Sequence, residues 1–84
     1  MNPRVTAVTP LADHALLLQF NDGDRRRMDV RPYLVYPVFA RLREPQFFAL
    51  ARAYHGTVSW PAGIDLDPDS VYLESVPVDH TAPA

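Results

Sequence analysis

Cysteine and lysine are both missing from this chain of 84 residues. Without cysteine there is no disulfide staple, no thiolate ligand for a metal and no thiol nucleophile. Without lysine every basic side chain is a guanidinium, which makes planar, bidentate contacts with carboxylate or phosphate. Genome base composition explains an Arg-, Ala- and Pro-rich chain equally well, and that simpler cause is preferred. Glycine occurs three times and tryptophan once. No stretch approaches the ~20 apolar residues of a membrane-spanning helix, so no membrane role is expected. The opening Met1-Asn2-Pro3-Arg4 has no apolar run behind it; no signal peptide and a cytoplasmic location are therefore expected. There is no repeat, no low-complexity tract, no Gly-x-Ser-x-Gly elbow, no phosphate loop and no paired-His metal motif.

What is present is one modest core's worth of apolar sequence. A chain of this length buries about 60–65% of its unfolded surface, so a single domain is expected over 1–76, with a flexible tail over 77–84. The net charge of −2 hides a split. Residues 1–43 carry seven Arg against four Asp, whereas residues 44–84 carry one Arg against six acids.

The chain is organised around Ser59-Trp60-Pro61-Ala62-Gly63-Ile64-Asp65-Leu66-Asp67-Pro68-Asp69. A strand should end here, the backbone turn and a helix begin. Gly63 supplies the freedom that the turn after Trp60-Pro61 requires. Asp67 can cap the helix, Pro68 suits its first position, and Asp69 adds negative charge at the positive end of its dipole. Leu66 and Val71 occupy the positions of a hydrophobic staple. The helix is predicted from about Pro68 to Val76, stopped by Pro77. The spacing Asp65-x-Asp67-x-Asp69 also resembles the start of a calcium loop. Such a loop needs Gly at its sixth position and Glu at its twelfth, and Ser70 and Val76 stand there. Capping is the stronger reading, and no metal or cofactor is expected. Trp60 is read as a core anchor because of its large apolar area, and Asp65 as bonded to backbone N–H groups of the turn.

Upstream, Val5–Thr9 reads as a strand ended by Pro10. Ala15–Phe20 and Arg25–Val30 read as a hairpin. A three-residue loop, Asn21-Asp22-Gly23 with Gly23 left-handed, gathers Leu16, Leu18, Phe20, Met28 and Val30 on one face. Leu17, Gln19, Arg25, Arg27 and Asp29 then share the other. Val38–Arg43 reads as a short helix facing inward with Val38, Phe39 and Leu42. Gln46 to Arg52 reads as another that buries Phe47, Leu50 and Ala51. Thr57–Trp60 is a later strand. The fold class predicted is α+β: an antiparallel meander of three strands plus a short later strand, with two to three short helices packed on one face.

The order and spacing of these pieces resemble a bacterial family, domain of unknown function 2442. The resemblance rests on Val8-Thr9-Pro10-Leu11, Leu16–Phe20 with Asp22-Gly23, Met28-Asp29-Val30, Pro32-Tyr33-Leu34, and Val38-Phe39 with Leu42 and Phe47. Most distinctive is Gly56–Pro61 followed by Gly63–Leu66 and Val71-Tyr72. It implies a small α+β fold with no known cofactor and no established catalytic residues. Its members are often encoded beside another short protein, which suggests a toxin–antitoxin-like pair. Some relatives carry a helix-turn-helix domain, a pattern these residues lack.

For function, the candidate reactive groups are His14, His55, His80, Ser59, Ser70 and the Asp cluster. They suggest no nucleophile, base and orienter acting together. The expectation is a non-catalytic interaction module, the accessory or antitoxin-like half of a two-protein system. Its partner is a protein, either a second copy in a homodimer or a neighbouring gene's product. The candidate contact residues are Leu17, Arg25 and Arg27. Nucleic-acid binding through the same Arg-bearing face is the alternative, set against a pI near 5.8. A small hydrolase comes third. Gly23, Trp60, Pro61, Gly63, Asp65 and Asp67 are expected to determine the fold.

Overall fold

The computed structural model describes residues 2–78. Strands β1 (Val5–Leu11), β2 (Ala15–Phe20) and β3 (Arg25–Asp29) form the antiparallel meander. In the β2–β3 hairpin Leu16 lies opposite Met28, Leu17 opposite Arg27 and Gln19 opposite Arg25. Phe20 N–H donates to the Asp24 carbonyl at 2.9 Å, so Asn21-Asp22-Gly23 is the loop, with Gly23 at φ +87°. That angle is costly for a residue with a β-carbon. The inward set of Leu16, Leu18, Phe20, Met28 and Val30 is buried as the pattern predicts. Strand β1 does not end at Pro10; it continues to Leu11 with Pro10 opposite Leu16. β1 is an outer strand with a sheet neighbour on one side only, where a missing N–H is tolerated.

The next segment departs from the expected helices. Arg31–Val35 and Pro37–Arg43 are 3₁₀ runs. Their three-residue period aligns Phe39 with Leu42; Leu42 is buried and Val38 is turned out to solvent. The helix expected over 46–52 is a single turn, α1 (Pro45–Phe48), and it buries Phe48, while Leu50 is 53% exposed. A continuing helix would have the Phe48 carbonyl accept from Arg52 N–H. It accepts instead from Trp60 Nε1–H at 2.9 Å and from Ala51 N–H at 3.1 Å. Arg52–Tyr54 becomes strand β4, paired with β5 (Thr57–Trp60). The turn between them, His55-Gly56, has φ +50° and +78°, the two positive values of a type I′ hairpin.

After Trp60 the turn Pro61-Ala62-Gly63 passes through φ +70° at Ala62 and +71° at Gly63. It leads into a short strand that the sequence reading did not anticipate, β6 (Ile64–Asp65), which completes a second sheet of order β4-β5-β6. Helix α2 (Pro68–Glu74) follows, with the Asp67 carboxylate accepting from Ser70 N–H at 3.0 Å. Leu66 and Val71, at the staple positions, are both buried. The helix ends before Ser75 rather than at Val76. Val76–Pro77 forms β7, with Val76 opposite Arg27, giving the first sheet the order β1-β2-β3-β7. Val78 N–H still donates to the Arg25 carbonyl, so ordered pairing passes the expected boundary at 76; the rest of the expected tail, 79–84, lies outside the described residues.

The molecule is therefore α+β. One core joins the inner face of the meander to Leu42, Phe48, Val58, Trp60, Ile64, Leu66 and Val71 from the covering elements. Among the described residues nothing covers the opposite face of the meander.

Candidate functional site

That bare face is built by strand alternation. Thr9, Leu17, Arg27 and Val76 are successive cross-strand partners, one from each of the four strands. Ala7, Gln19 and Arg25 form the adjoining row, and Val78 N–H is bonded at its end. Ala7, Thr9, Gln19, Arg25 and Arg27 are exposed, Leu17 is half-buried, and Val76 is 58% exposed. A shallow groove of about 70 Å³ runs between Ala7, Thr9, Leu17, Gln19 and Arg25.

The arginines of this hairpin have different fates. Arg26 points inward, where its Nε donates to Ser75 Oγ at 2.8 Å and its Nη2 to the Ser75 carbonyl at 2.7 Å. It also pairs with Asp24 at 3.1 Å and lies 4.3 Å from the centroid of the Tyr72 ring. Arg31 pairs with Asp29 at 2.9 Å, and its hydrogen bonds hold the Asp29 carboxyl below the usual carboxylate range. Arg25 and Arg27 have no ion pair among the described residues. Two guanidinium heads two residues apart on one strand, over a half-buried leucine, make a surface that can bind anions while their stems cover apolar area.

The remaining predicted residues go elsewhere. Trp60 is 1% exposed and lies in the core beside Phe48, ring centroids 5.8 Å apart. Pro61 and Gly63 are exposed in the turn. Asp67 caps α2, and Asp69 accepts from Asn2 Nδ2 at 3.2 Å. Asp65 corrects the expectation of a turn-bonded carboxylate. It is exposed and accepts no hydrogen bond among the described residues, because β6 directs its side chain outward while its backbone pairs with Ser59. Nor do the described histidines and serines converge. His14 Nε2–H donates to the Arg43 carbonyl at 3.2 Å, and His55 lies in the hairpin turn. Ser59 Oγ faces the Ile64 carbonyl, and Ser70 Oγ donates to Asp67. His80 lies outside the described residues. Among the described residues no three His, Asp or Glu side chains are grouped as a metal would need.

Residues 5–77 match the family described as protein of unknown function, DUF2442. The chain belongs to that family. No curated protein and no solved structure matches it significantly. This DUF2442 domain also brings together residues that sequence reasoning did not single out. Val76 joins the outer face only because β7 docks beside Arg27. Tyr33 Oη–H donates to Glu74 Oε1 across 41 positions of sequence. Alternation along β3 does imply an inward Arg26, but its partner Ser75 lies 49 positions away.

Proposed function

We propose that this domain is a non-catalytic protein-interaction module that receives an acidic segment of a partner protein on the outer face of its meander. The observation that supports this reading is the pair Arg25 and Arg27, exposed and without ion pairs among the described residues, with Arg27 in the row of Leu17 and Val76 and Arg25 in the row beside it. Two copies meeting face to face would oppose like charges, which is costly, so the partner is taken to be a different protein. The rows span four strands at about 4.8 Å spacing. That is room for one extended segment or one helix, well short of the ~800 Å² per side of a standard interface. The neighbour-encoded protein that the family resemblance implies is the first candidate, in an antitoxin-like arrangement in the bacterial cytoplasm.

Nucleic acid is the second reading, because phosphates satisfy the same guanidinium pair. The apolar members of the rows, Leu17 and Val76, favour the protein segment, because a phosphate backbone offers them no apolar surface to cover. The test is fluorescence anisotropy with a labelled peptide alternating glutamate with valine, and with a mixed-sequence oligonucleotide of equal charge. Arg25→Glu together with Arg27→Glu should leave the fold intact and weaken peptide binding, more at low salt than at high. Peptide binding that the double variant leaves unchanged would sink the proposal; binding confined to the oligonucleotide would replace it with the second reading.

A further inference from the structure

A second recognition feature lies away from the outer face and does not depend on it. Pro32, Tyr33, Tyr36 and Glu74 line a cleft of about 290 Å³, close to the lower limit of ligand-sized pockets at ~300 Å³. Its parts are held in place. The Tyr33 ring is edge-on to Phe39 with centroids 5.5 Å apart, and its hydroxyl donates to Glu74 Oε1. Burial and the Glu74 carboxylate push the Tyr33 hydroxyl well above its ordinary range, and the charge of Asp67 adds to the effect. Tyr36 is 56% exposed, and Glu74 has no ion pair among the described residues.

The same molecule shows what such a combination attracts. Arg26 stacks on Tyr72 while its donors reach Ser75 and Asp24. Arg41 covers Phe47 at 4.6 Å and Arg52 covers Tyr54 at 5.1 Å. Tyr33 and Tyr36 are tyrosines beside a carboxylate with no guanidinium over them among the described residues. A planar cation can lie on an aromatic face and present two donors to a carboxylate at once, which an ammonium cannot do. We propose that this cleft binds an arginine side chain presented by an exposed segment of a partner protein, with Glu74 accepting its donors and Tyr36 stacking on its plane. The volume admits one side chain, and an opening this shallow makes a presented residue a better occupant than a free amino acid.

The experiment follows amide chemical shifts of the full chain during titration with N-acetyl-arginine-N-methylamide, and with the neutral citrulline analogue. The expected result is saturable shifts centred on Tyr33, Tyr36 and Glu74 with the arginine probe and none with citrulline. Glu74→Gln should weaken the arginine probe at least about tenfold, the size of a lost charge-assisted hydrogen bond, and Tyr36→Ala should weaken it too. Both side chains are exposed, and retained spectral dispersion will show that the variants fold. Arg25→Glu with Arg27→Glu should leave the titration unchanged. Equal shifts with citrulline, unchanged affinity in Glu74→Gln, or shifts spread evenly over Asp65 and Asp69 would overturn the proposal. Self-association that Glu74→Gln abolishes would overturn the assignment to a different protein, since the occupant would then be a second copy.

Discussion

Replacing Trp60 with alanine tests the core most directly. The indole is 1% exposed, packs against Phe48 and donates from Nε1 to the Phe48 carbonyl at 2.9 Å. Truncating a buried Trp costs about 3–5 kcal/mol. At about 0.05–0.15 kcal/mol per residue, a domain of this size holds roughly 4–13 kcal/mol in all, so the loss is a large share. In a domain this small each kcal/mol moves the midpoint by about 4–8 °C, which gives a fall in Tm of at least about 12 °C. Trp60→Phe separates the two contributions. It keeps an aromatic ring against Phe48 but removes the donor, and should cost less, about 1–3 kcal/mol. Circular dichroism melts of the three proteins provide the assay. A Trp60→Ala midpoint within about 5 °C of wild type would refute the reasoning, because no other side chain could then replace the buried contact so completely.

Gly56→Ala should destabilise more than Gly23→Ala in denaturant melts. Both have positive φ, but a β-carbon at Gly56 would push aside the Arg4 guanidinium and displace its hydrogen bond to the His55 carbonyl, while Gly23 faces open space. Asp67→Ala should cost about 1 kcal/mol through loss of the α2 cap, and Asp67→Asn a few tenths; equal losses in the two urea midpoints would contradict the capping role. Because the folded-state Tyr33 pKa is raised above its ordinary value of 10.0, its contribution is fully present below pH 10 and is lost as pH rises through the folded value. Wild-type urea midpoints should therefore fall above pH 10, and Tyr33→Phe should show a flatter profile there.

The hairpin was legible because two local signals agree. Alternation along Leu16–Phe20 and the glycine in Asn21-Asp22-Gly23 select the same register. The cap of α2 was legible for a similar reason, since Asp67 and Pro68 act within one turn. The stretch 46–54 was not, because Phe47-Phe48-Ala49-Leu50-Ala51 is apolar at helical spacing, and nothing within it announces the strand. What decides its conformation is remote: Trp60 takes the Phe48 carbonyl, and His55-Gly56 turns Arg52–Tyr54 back onto β5. The dipeptides that mark a type I′ turn most strongly carry Asn, Asp or Gly before the glycine, and His55 stands there instead, so only half of that hairpin signal was visible. The outer face was half legible. Leu17, Arg25 and Arg27 follow from alternation, whereas Val76 reaches it through a pairing that Pro77 made look like a helix stop.

The two prolines in the first sheet have a consequence for how the protein behaves in a crowded solution. Pro10 lies in β1 and Pro77 in β7, the outermost strands on either flank. A stray strand that tried to zip onto either flank would meet a position with no N–H to offer, and among the described residues β7 spans only Val76 and Pro77. Each outer strand thus interrupts the ladder that templated growth into fibres would need, even though nothing among the described residues covers the outer face. Whatever meets that face must do so through side chains, so the specificity of the encounter can drift by substitution while the backbone ladder stays as it is.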